Sequence, residues 1–178
     1  MRTANPPRVV VGLSGSLNSL TALHRAATEA RLTGRKLLAV LAYGPRTGAR
    51  YPYQPASLTE QSRHGAVEQL ITALEGAFGA SGDDLPVEGL VLRGRPGPIL
   101  LDVAHRADDI LVVGAGHRGW LSRALMPSVA RYCLAHAACP VLAVPPSPLQ
   151  RDLEAIRRSN RRLATRGLGS TDIQDLIS

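Results

Sequence analysis

The chain has 178 residues, 21 Lys or Arg against 14 Asp or Glu, 44% hydrophobic residues and only 3% aromatics. That length suits one domain with a tail, and its core must be built from Ala, Val, Leu and Ile. So few aromatics exclude a stacking surface for single-stranded nucleic acid. Two cysteines, Cys133 and Cys139, make no disulfide framework, and no Cys/His cluster has zinc-ligand spacing. A reduced cytoplasm is the simplest compartment.

The net charge of +7 is spread along the chain without a block of five like charges, and specific nucleic-acid binding is not expected. No membrane span is expected either. The long uncharged stretch 132–150 is broken by four prolines and His136. The run Val9–Leu13 is too short for the core of a signal peptide.

Taken in order, strand-like and helix-like segments alternate. Arg8–Leu13 is a β-branched run ended by Ser14-Gly15-Ser16, a turn and helix-start signal. Leu20, Leu23, Ala27 and Ala30 then recur at helical spacing, and Gly34 closes that helix. Leu37–Tyr43 is a second strand and 44–56 a Pro- and Gly-rich loop. A helix over 58–78 presents Val67, Leu70, Leu74 and Ala77 on one face. Val87–Leu92 is a third strand, and Gly94–Pro98 starts a short helix carrying Ile99, Val103 and Ala107. Asp109–Val113 is a fourth strand, running into the loop Gly114–Gly119. A last helix over 128–137 precedes the fifth strand, Cys139–Val144.

Continuous apolar strands separated by helices predict an α/β domain with a doubly wound parallel sheet covered on both faces. Val10, Val11, Leu38, Val40, Val112 and Leu142 are expected in its core. The domain is expected to span 1–145, and 146–178 to be a Pro-linked charged tail, helical over 150–166 only where it meets a partner protein.

Ligands of open α/β sheets bind beyond the carboxyl ends of the strands, where the strand order reverses. Two loops suit that place, Gly12–Ser16 and Gly114–Gly119, with Ser128 as a further hydroxyl donor. Glycine lets a backbone approach an anion closely, and helix-start N–H groups favour phosphate. The same glycines serve equally as tight turns, and neither loop is a Walker A or Gly-x-Gly-x-x-Gly motif. Of the histidines, His24, His64, His105 and His136 are scattered, and His117 lacks a carboxylate to orient it. Cys133 and Cys139 read as small buried residues. Asp108-Asp109 reads as helix-end or turn chemistry, and no residues suggest a catalytic triad or a metal site.

Four segments carry a resemblance. VVVGLSGSLNSLTALHRAATEA, GRPGPILLDVAHRADDILVVG and the pair DDILVVGAGHRGW and MPSVARYCLAHAACPVLAV resemble the universal stress protein family, over residues 8–145. The resemblance implies a Rossmann-like five-stranded parallel sheet of order 3-2-1-4-5 in three layers, usually in a homodimer. It also implies an ATP site with the pattern Gly-x2-Gly-x9-Gly-Ser/Thr after the fourth strand. Onto that pattern fall Gly114, His117, Pro127 and Ser128, with Val129 following. Ser14 stands where the family has an acidic residue, and Ala42 where backbone meets adenine. Pro127 has no N–H to offer phosphate, while Gly116, Arg118 and Gly119 are placed to compensate in part.

The implied function is a cytoplasmic regulatory module, a homodimer through Val141–Val144, with a degenerate site for ATP and its magnesium and no catalytic residues. A nucleotide-free interaction scaffold is the alternative. An ATPase or nucleotidyl transferase is a third reading.

Overall fold

The structure is a computed structural model that describes residues 6–44, 56–79, 85–115 and 128–148. The chain divides into two units, Met1–Pro146 and Ser147–Ser178, and all the elements below belong to the first. Five strands are described: β1 (Arg8–Leu13), β2 (Lys36–Tyr43), β3 (Val87–Arg93), β4 (Ile110–Gly114) and β5 (Val141–Val144). Between them lie α1 (Leu17–Thr33), α2 (Ala56–Phe78), α3 (Pro96–Val103) and α4 (Val129–His136).

The strands form one parallel sheet in the order β3-β2-β1-β4-β5, as the resemblance implied. Side chains alternate between two cores because successive strand residues point to opposite faces. Val9, Val11, Leu37, Ala39 and Val112 pack under Leu23, Ala26 and Ala30 of α1 and Leu70 of α2. Val10, Leu38, Val40, Leu111 and Val113 pack under Leu100 of α3 and Ala130 and Cys133 of α4. The result is a three-layer, doubly wound α/β fold.

The sequence patterns place the elements well, and the differences have local causes. Leu142 is only half-buried, because among the described residues β5 pairs with β4 alone and forms a sheet edge. Cys139 precedes β5: it is buried, and its Sγ donates to the Ala104 carbonyl at 3.5 Å. Ala107 lies beyond α3, which ends at Val103 with Ala104 capping onto Leu100.

Asp109 does close a turn, its N–H donating to the Arg106 carbonyl at 3.0 Å, but its side chain does more than that. It is fully buried at the entrance to β4. Arg8 grips both its oxygens, Nε to Oδ1 at 3.1 Å and Nη2 to Oδ2 at 2.7 Å. Nη2 of Arg8 also donates to the Val103 carbonyl at 3.0 Å, so one guanidinium ties the start of β1 to the end of α3 and the start of β4. Asp109 holds the Arg8 guanidinium even above its ordinary range, chiefly through that hydrogen bond.

Candidate functional site

From β1 the chain proceeds to β2 and β3 on one side, and β4 and β5 lie on the other. The strand order therefore reverses between β1 and β4, and a crevice is expected beyond their carboxyl ends.

The β1–α1 connection is Ser14-Gly15-Ser16. Ser16 caps α1 with extended backbone (φ −87°, ψ 152°), and its Oγ accepts the Ser19 N–H at 3.3 Å. Its carbonyl accepts the Ser19 hydroxyl at 2.7 Å and the Leu20 N–H at 3.1 Å. Such a cap satisfies donors that a helix start otherwise leaves unpaired. Ser14 is exposed, with its hydroxyl 3.1 Å from that of Ser16. Gly15 has φ +67°, the left-handed region glycine adopts freely, and a Cβ there would also stand 1.9 Å from Nε2 of Gln69 on α2.

Gly12, read both in the first strand and in the loop after it, lies in β1, and Gly114, expected in a loop, ends β4. Their glycines make room for packing. A Cβ on Gly12 would meet Leu100 Cδ1 at 2.7 Å, and one on Gly114 would meet Asn18 Nδ2 at 2.3 Å. Thus α1 can bring its first turn against the end of β4 only because residue 114 has no side chain. Asn18 itself is 7% exposed, and its Oδ1 is buried with no hydrogen-bond partner.

Ala42 lies half-buried near the end of β2. Leu13 pairs in register with Leu41, so Ser14 and Ala42 follow at the same level of adjacent strands. Beyond β4 the Ala115 N–H donates to the Val144 carbonyl at 2.7 Å, fastening the start of the next loop to β5. Ser128 caps α4, its Oγ accepting the Arg131 N–H at 3.2 Å, and Val129 behind it is half-buried. With a lone pair engaged in the cap, the Ser128 hydroxyl keeps its proton to donate. Gly116, His117, Arg118, Gly119 and Pro127 lie outside the described residues.

The first turn of α1 carries no acid, and Asp109 and Glu88 stand at the amino ends of β4 and β3. Arg93 and Arg95 are exposed at the carboxyl end of β3. Four of the five histidines are described, and all four are exposed. His64 pairs with Glu68 at 3.3 Å, while His105 and His136 contact backbone carbonyls of their own helical segments. Among the described residues no group of three His, Cys, Asp or Glu side chains is arranged to hold a metal.

Two polar residues escaped the sequence reading, Asn18 and Gln69. Each looks like an ordinary helix-surface residue, and only the approach of β4 and of the β1–α1 turn singles it out. A polar residue one turn into a capped helix, opposite a strand ending in glycine, was the available signal.

A doubly wound parallel sheet of order 3-2-1-4-5, with capped starts at α1 and α4, defines a Rossmann-like class of α/β domains. Within that class, the universal stress protein family profile matches residues 6–145, and the chain belongs to that family. A Staphylococcus aureus (strain USA300) protein bearing a universal stress protein name is 30% identical over 148 residues, covering 82% of this chain and 88% of that protein. A universal stress protein solved in complex with cAMP is 27% identical with a TM-score of 0.51, covering 81% of this chain and 100% of that one. A universal stress protein from Lactobacillus plantarum, 19% identical with a TM-score of 0.56 over 80% of this chain and 99% of its own, shares the fold.

Proposed function

We propose that this chain is a nucleotide-binding regulatory module, acting in the cytoplasm as a homodimer and without catalysis of its own. The observation that carries the reading is the reversal of strand order between β1 and β4, with the exposed hydroxyls of Ser14 and Ser16 and the capped start of α1 directly after β1. The 27%-identical relative solved with cAMP supports a nucleotide as the ligand class. Regulation without catalysis fits the placing of the buried strand-entrance carboxylate, Asp109, at the far end of the sheet from the crevice. Among the described residues no helix is long and apolar enough to cross a membrane. Residues 146–178 act as an appendage through which 150–166 engages a partner protein.

ATP with magnesium binds weakly in this reading, no tighter than about tens of micromolar, because Pro127 offers no N–H and Ser14 replaces an acid. Calorimetric titration of ATP, AMP and cAMP into the purified chain tests it. Restoring the family pattern with His117→Gly and Pro127→Gly returns an N–H and should tighten ATP at least about tenfold, the low end of one charged hydrogen bond. Nanomolar ATP affinity in the unchanged chain, or no gain in the double variant, would refute the degenerate-site reading. No binding of any nucleotide would favour the scaffold instead.

A further inference from the structure

We draw no further inference here: the strongest candidate, the outer edge of the sheet at β3, which among the described residues pairs with β2 alone and leaves Leu90, Val91 and Leu92 half-buried, carries nothing because nothing in the structure shows what covers it.

Discussion

Arg8 and Asp109 are the residues whose importance the fold makes plainest. The carboxylate is fully buried and its compensation is the bidentate guanidinium, with Arg106 a further 4.0 Å from Oδ1. Removing one partner of such a pair strands the other charge, at a cost of about 3–5 kcal/mol, while replacing both by apolar residues is often near neutral. Asp109→Asn should therefore lower stability in urea denaturation by about 3 kcal/mol or more, and Arg8→Met with Asp109→Leu should recover most of it. A single variant as stable as the unchanged chain would show that the pair is incidental.

The free cysteines make a pH prediction at the same scale. Burial pushes the Cys133 thiol up to about 11 from an ordinary value of 9.0, and burial also raises Cys139. The folded chain thus holds the Cys133 proton more tightly than the unfolded chain does. The stability this confers is complete below about pH 9 and is lost as pH rises toward 11. A colorimetric thiol reagent at pH 8 should react slowly with the native chain and fast in urea, because so little thiolate is present in the fold. Equal rates in both would contradict the burial.

At the scale of elements, the close contact of α3 with α4 depends on a missing side chain. Gly97 is buried in the first turn of α3, and a Cβ there would stand 2.5 Å from the ring of Tyr132 on α4. That ring cannot yield freely, since it stacks on His136 with centroids 4.5 Å apart. Gly97→Ala should push the helices apart and cost about 1–3 kcal/mol, against the small gain that alanine brings to a helix interior. Thermal unfolding followed by circular dichroism measures the balance, and a raised midpoint would show that Tyr132 moves aside.

For the whole molecule, the edge strand β5 bears on assembly. Among the described residues β5 has a strand neighbour on one side only, and it carries Val141, Leu142, Ala143 and Val144 with no charge to discourage pairing. Open apolar edges invite a second chain. Light scattering should therefore report a dimer across micromolar concentrations, both for the full chain and for one ending at Pro146, with melting midpoints close together. A monomer in either case would remove the edge from the interface, and a midpoint many degrees lower in the shortened chain would make 147–178 part of the folded core.

Much of this was legible along the chain. The runs at Val9, Leu37 and Leu111 announced covered parallel strands, Ser16 and Gly34 bounded α1, and Ser128 marked the start of α4, because caps and apolar runs are local features written in neighbouring residues. Leu142 misled for a reason that is not local: a strand's burial depends on whether another strand lies beside it, and an apolar run reads the same at an edge as in the middle, although the strand order implied by the resemblance already put this strand at the edge. Asp109 misled in the same way, for its partner Arg8 is 101 residues distant. The candidate site divides along that line as well. Ser14, Gly15 and Gly114 could be picked out as small residues at strand ends, but Asn18 and Gln69 became part of the site only when α1 closed on β4 and α2 reached the β1–α1 turn. Local sequence determined the elements and their ends through dihedral preference and periodicity. Tertiary structure decided which polar groups were left without partners, because pairing is settled by what the fold brings into contact.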